Sequence, residues 1–417
     1  MNGLNKLIFL VILTSIAFLP MKGKDIDFSQ NFQDSTLRVD LIFAGEPNGI
    51  GIFVDSETKQ PGWYGRRHNL NKVPLKGNGS ILILDPLTKD TLYLNTFSSL
   101  FQEWLITPEA GVKPMAFQNS FLLPLPKNEA DIKLQLRDNR QKVLKEIKYR
   151  FNPNDELNSI RGSNPLSHKY IHRGGNPEDV IDVAIVAEGF TEAQMDSFLY
   201  HAERFTNEIL SYEPFASNKD KFNFVAVNTP SMESNTSIPL KKVWKNTAFG
   251  SHFSTFHSPR YLTVPKLHEV HRSLEGIPYE HILIIVNTPQ YGGGGIFNSY
   301  QVASSDNEFT LPVTVHEFGH SFAGLADEYC YEDEEDETYP LDLEPWEENI
   351  TTLVDFSSKW EDMKNPTSDV GLYEGAGYRT KGIYRPTFTC RMRENKFPKF
   401  CPVCERTILK VIDFYMN

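Results

Sequence analysis

His316-Glu317-Phe318-Gly319-His320, continued by Ser321-Phe322-Ala323-Gly324-Leu325-Ala326-Asp327-Glu328-Tyr329, is the most informative stretch of this 417-residue chain. Its form is H-E-x-x-H-x-x-x-G-L-A-D-E-Y. Histidines at i and i+4 share one face of an α-helix, one turn apart, where both imidazoles can hold a single zinc ion. Glu317 then follows the first ligand and can face a zinc-bound water. Pro312 suits a first helical turn, and Val315, Phe318 and Phe322 form an apolar stripe at helical spacing. Gly324 is the expected stop, because glycine takes the left-handed conformation that ends helices. A chain turning there can return Asp327 to the histidines as a third ligand, leaving a fourth position for water.

Working outward, the chain is long enough for two domains, with 40% hydrophobic and 23% charged residues and a net charge of −12. That balance, without a basic stripe, speaks against nucleic acid as a partner. Lys6 precedes an apolar run from Leu7 to Leu19, read with its flanks as a signal peptide over residues 1–24. The expectation is therefore an exported protein, periplasmic or extracellular in a bacterium, with no membrane span in the mature chain. Cys330, Cys390, Cys401 and Cys404 are then expected in disulfides, with three pairings open. Cys401-Pro402-Val403-Cys404 also has the spacing of redox and zinc-knuckle pairs, but lacks a βαβ context or a second close pair.

Residues 25–151 read as all-β. Leu37, Val39, Leu41 and Phe43 alternate with mostly polar neighbours, further short strands follow, and turn signals separate them, which predicts a β-sandwich. Trp63-Tyr64 and Glu103-Trp104 read as core or turn packing there. Residues 152–178, with three Asn-Pro pairs, read as a linker in which His168 and His172 are surface residues. From residue 179 to 417 strands alternate with helices, predicting a mostly parallel sheet. His268-Glu269-Val270-His271 mimics a metal motif but reads as surface. The glycines Gly292–Gly295 lack the Lys-Ser/Thr of a P-loop and read as a flexible loop. Asn298, Ser299 and Tyr300 begin a candidate edge strand for an extended peptide. Glu332–Asp336 reads as a solvated acidic loop; calcium is conceivable there but unsupported, since EF-hand spacing is absent.

The stretch His316–Tyr329, with Cys390-Arg391-Met392-Arg393 and Phe400–Cys404, closely resembles the bacterial IgA peptidase family of zinc metallopeptidases. The all-β region with Phe101-Gln102-Glu103-Trp104 is similar to the N-terminal domain often attached to that family. The resemblance implies a metzincin-like catalytic domain, a cleft between two subdomains, and a methionine turn for which Met392 is the candidate. The commoner metzincin motif is H-E-x-x-H-x-x-G-x-x-H/D. Here one more residue precedes Gly324, so the third-ligand slot falls on Asp327, with Glu328 as competitor and a two-histidine site as a third arrangement.

The expectation is a secreted zinc endopeptidase. Zinc is held by His316, His320 and Asp327, Glu317 is the general base, and Tyr384 or Tyr378 supports the oxyanion. The substrate is protein or peptide, immunoglobulin A among the candidates. Two other readings stay open: an exported glycan- or protein-binding surface protein with a non-catalytic metal site, and a cell-wall peptide amidase. Oligomeric state is left open.

Overall fold

The computed structural model describes residues 25–47, 49–331, 338–364 and 367–417. The signal-peptide reading at 1–24 and the acidic loop Glu332–Asp336 lie outside the described residues. Among the described residues no helix is long and apolar enough to cross a membrane.

The first part of the chain forms two four-stranded sheets. One is centred on Phe32–Glu46, antiparallel to Gly49–Pro61 and to Met115–Pro126. The other pairs Gly79–Leu84 with Thr91–Phe97 and with Ala130–Arg137, which in turn pairs with Val143–Phe151. The predicted alternation explains their packing. Leu37, Val39, Leu41 and Phe43 from one sheet, and Ile81, Ile83, Ile132 and Leu134 from the other, meet in one buried core.

The second part is built on a six-stranded sheet in the order Gly293–Ile296, Tyr300–Ser304, His281–Val286, Ile181–Glu188, Phe222–Val227, His168–Arg173. The middle four strands are mutually parallel; the two outer ones run antiparallel to them. Ile181–Glu188 is wholly buried, so its alternate residues serve two cores. Val183, Ile185 and Ala187 face helices Met195–Ile209 and Thr310–Ala323 and the terminal helix Pro402–Met416, while Ala184 and Val186 face helix Leu267–Ser273. This is the two-faced burial that reads as a continuous apolar run in sequence.

Several readings change here. The stretch 152–178 holds two strands: Ser159–Ile160 joins the first sheet through Gly49–Pro61, and His168–Arg173 closes the six-stranded sheet. His268 and His271 are buried, not surface: His268 Nε2 lies 3.1 Å from the Leu41 carbonyl and His271 Nδ1 lies 2.8 Å from the Tyr279 hydroxyl. They are satisfied core histidines at the join between the two parts. The edge of the sheet is Gly293–Ile296, not Asn298–Ser304. Tyr300 is buried in an interior strand, and the Asn298 amide donates to Asn95 Oδ1 and to the Thr96 carbonyl across the join. Three of the four glycines, Gly293–Gly295, thus belong to a strand themselves. All four cysteines are free; Cys390 Sγ and Cys404 Sγ stand 3.7 Å apart, far beyond the S–S bond of about 2.05 Å that the disulfide expectation requires.

Candidate metal centre and cleft

Helix Thr310–Ala323 carries the histidines, with Pro312 in its first turn and Gly324 ending it at φ +55°. Phe318 and Phe322 anchor one face in the core, so His316, Glu317 and His320 take the face towards the cleft. After Gly324 the chain doubles back, and Asp327 arrives opposite the two rings. His316 Nε2 lies 2.9 Å from Asp327 Oδ1, His320 Nε2 lies 3.3 Å from the same oxygen, and the two Nε2 atoms are 3.0 Å apart.

The hydrogen bonds behind the rings settle which nitrogens are free. His316 Nδ1 faces the Arg391 carbonyl at 3.0 Å and His320 Nδ1 faces the Leu325 carbonyl at 2.5 Å. A carbonyl only accepts, so each Nδ1 carries the hydrogen and, in the neutral rings, each Nε2 presents a lone pair. Two lone pairs and a carboxylate oxygen then converge on one point. This is a poor arrangement for the bare groups and a good one around a cation. Tetrahedral zinc with bonds of about 2.0–2.1 Å separates its nitrogen and oxygen ligands by about 3.3 Å, so the donor set fits. Without a metal a proton takes the same role. Burial opposes charge on His320, but Asp327 outweighs it and lifts the pKa to about 9. Burial likewise works against ionised Asp327, yet the two imidazoles hold it well below the usual carboxylate range. The Tyr378 hydroxyl donates to the other oxygen, Asp327 Oδ2, at 2.5 Å and fixes the carboxylate's orientation.

Glu317 sits beside this point. Burial raises its pKa above the ordinary carboxylate value, with the imidazoles pulling the other way. The glycine strand makes room for it: a Cβ on Gly293 would lie 2.8 Å from Glu317 Oε1, and one on Gly295 would lie 2.4 Å from the Glu317 carbonyl. Met392 is wholly buried beneath the helix, its sulfur 2.7 Å from where a Cβ on Gly319 would stand.

The cleft above has a volume of about 1190 Å³. It brings together His316, Glu317, His320, Asp327 and Tyr378. Tyr384 is not among its lining residues; its backbone pairs with Thr351 within a separate small sheet layer. Glu328, the rival third ligand, turns away and meets Cys404 and Asn349 instead. Asn298, Ser299 and Tyr300 do not line the cleft.

Sequence reasoning missed what the first part of the chain contributes. In helix Leu100–Leu105, Phe101 and Trp104 are buried, as expected of core packing, but Glu103 between them lines the cleft. Burial raises its pKa to about 7, the Tyr261 hydroxyl donating to it acts in the opposite sense, and Glu317 and Asp327 raise it further. The i, i+3 spacing of Phe101 and Trp104 was the available signal that Glu103 faces elsewhere. Arg260 was also unforeseen. Its guanidinium lies over the rings of Tyr329 and Tyr331, 5.8 and 5.6 Å from their centroids, at the cleft wall.

Comparison with known families gives two matches. Residues 27–148 match the family described as Peptidase M64 N-terminus, and residues 170–369 and 362–412 match the one described as IgA Peptidase M64. No curated protein matches the chain.

Proposed function

The chain belongs to the M64 peptidase family and is a peptidase acting on protein or peptide substrates, and from that premise we propose that it is an exported, zinc-dependent endopeptidase. In this reading residues 25–151 and 179–417 are its N-terminal and catalytic domains, the latter of metzincin type, with Met392 in the methionine turn. Immunoglobulin A is one candidate substrate among proteins. The observation that carries the reading is the convergence of His316 Nε2, His320 Nε2 and Asp327 Oδ1 beside Glu317 at the base of an open cleft.

His316, His320 and Asp327 would hold the ion. Bound zinc supplies Lewis acidity, lowering the pKa of water and polarising a carbonyl. The protein's own groups do the rest. The Arg391 and Leu325 carbonyls keep both rings in the tautomer that presents Nε2. Tyr378 keeps Asp327 aimed at them. Glu317, ionised, takes a proton from the attacking water and returns it to the departing amine nitrogen. Its raised pKa makes that return easier than from an ordinary carboxylate. The edge strand Gly293–Ile296, bare of side chains over three residues, can pair with an extended substrate backbone beside Glu317.

The test is cleavage of a protein panel including immunoglobulin A and casein, with and without a zinc chelator, beside Glu317→Gln. Chelator-sensitive cleavage that zinc restores and the variant lacks supports the reading. Full cleavage by Glu317→Gln, or by chelated protein, overturns it.

A further inference from the structure

Behind the cleft lies a second convergence of donors. Cys390, Cys401, Cys404 and Glu328 are all buried, and one donor atom from each lies within 4.8 Å of the others. Cys390 Sγ is 3.7 Å from Cys404 Sγ, and Cys404 Sγ is 3.2 Å from Glu328 Oε1. Tetrahedral zinc, with Zn–S bonds of about 2.3 Å and Zn–O bonds of about 2.0 Å, spaces its sulfurs about 3.8 Å apart and sulfur from oxygen about 3.5 Å apart. The cluster is already close to that size.

We propose that Glu328, Cys390, Cys401 and Cys404 hold a structural zinc ion that fastens the terminal helix and the Met392 segment to the back of the cleft. Three further observations support it. Backbone amides point at the sulfurs: Cys401 and Met392 donate to Cys390 Sγ at 3.3 and 3.5 Å, and Cys404 donates to Cys401 Sγ at 3.5 Å. Such donors stabilise thiolate, the form that binds metal. Cys401 is also the N-cap of the 15-residue helix Pro402–Met416, whose positive end favours anionic sulfur. Finally, Glu328 is fully enclosed. Its Oε1 accepts from the Asn349 amide at 2.9 Å, but its Oε2 has no partner. A buried carboxylate oxygen left alone is costly, and a cation among the thiols removes that cost. Three soft sulfurs and one carboxylate in a closed set of four suit zinc and leave no position for water, so the role is structural and not catalytic.

The geometry also says what the ion would secure. Glu328 directly follows Asp327, and its amide donates to the Met392 carbonyl at 2.9 Å. Cys390 precedes Arg391, whose carbonyl orients His316. One ion would therefore hold both the segment bearing the third cleft donor and the segment that fixes a ring.

The whole protein, purified without chelator, tests this by elemental analysis and cobalt substitution. The doubly substituted protein His316→Ala/His320→Ala should retain one zinc per chain. Its cobalt form should absorb in the thiolate-to-cobalt charge-transfer region, which a nitrogen and oxygen site does not do. Cys404→Ser should lose that absorption and melt at lower temperature. If Cys404→Ser does not fold, the double histidine variant alone decides. Zinc in the wild type but none in that variant overturns the second site and leaves the cleft reading intact. One zinc in both proteins, with the thiolate absorption, supports the second site and overturns the cleft reading. A Cys390–Cys404 disulfide found by mass spectrometry under non-reducing conditions, or all four thiols titrating freely with no metal bound, also overturns it.

Discussion

Asp327 and Glu328 are consecutive in the chain and serve opposite surroundings. Asp327 Oδ1 meets two imidazole nitrogens at the floor of an open cleft, while Glu328 Oε1 meets a cysteine sulfur in a closed one. Both are buried, yet they are driven in opposite directions. Burial opposes the charge on each, but the imidazoles outweigh it and lower the pKa of Asp327, whereas burial and the neighbouring Cys401 raise that of Glu328. Burial alone therefore does not set a carboxylate's state; its partners do. The open cluster is arranged for reaction. The closed one is arranged for holding two segments together.

The sharpest break between the two is Glu317→Gln, which touches only the open cluster. It removes the group that moves the proton and leaves every nitrogen and oxygen donor in place. We expect kcat/KM to fall by at least about 10²–10⁴-fold, with metal content unchanged by elemental analysis. Next is the pair of amides Asp327→Asn and Glu328→Gln. Asp327→Asn removes the anion that balances the two rings, so loss of cleft metal and of activity is expected together. Glu328→Gln should register first as a lower melting temperature, by an amount corresponding to about 1–3 kcal/mol for a disturbed buried polar group. Equal effects of the two amides on metal affinity at the cleft would erase the distinction between them. Smaller again is Tyr378→Phe, which removes the hydroxyl donor to Asp327 Oδ2. Outer partners of this kind are typically worth about 10–100-fold in metal affinity, readable by chelator competition.

The open cluster was legible because its chemistry is local. Two ligands and the base fall within five residues, and a glycine stop announces the return of Asp327. The closed cluster was not, because its donors run from Glu328 to Cys404 and meet only after the terminal helix docks. Cys401-Pro402-Val403-Cys404 has the spacing of a knuckle, but the donors that join it are Glu328, far upstream, and Cys390, not a second close pair. In the fold, the alternation at Leu37–Phe43 and the apolar runs of the parallel strands were read correctly, since periodicity reports which faces are buried. The edge strand was misplaced because a run of glycines carries no side-chain pattern; the strand formed by Gly293–Ile296 is imposed by the close approach of the helix that bears Glu317. His268 and His271 misled for a related reason. A polar pair on a short helix looks exposed until another part of the chain supplies a carbonyl and a hydroxyl to satisfy it.

Glu103 extends the comparison across the join, because it brings a carboxylate from the all-β part into the open cleft, while among the described residues none comes to the closed one. Its pKa, raised to about 7 by burial, is above that of a free carboxyl. It is therefore mostly neutral at about pH 6 and mostly anionic at about pH 8. A substrate bearing a Lys or Arg side chain near the scissile bond should bind better as the pH rises through about 7, and one bearing Asp or Glu should bind worse. The effect is small, about two- to fivefold in KM, because the group is partly exposed. Glu103→Gln should flatten both trends while leaving the Glu317-dependent step in kcat. The measurement is KM against pH for matched basic and acidic peptides. Parallel KM profiles for the two peptides in the unaltered protein would mean that the all-β part closes the cleft without reading the substrate's charge.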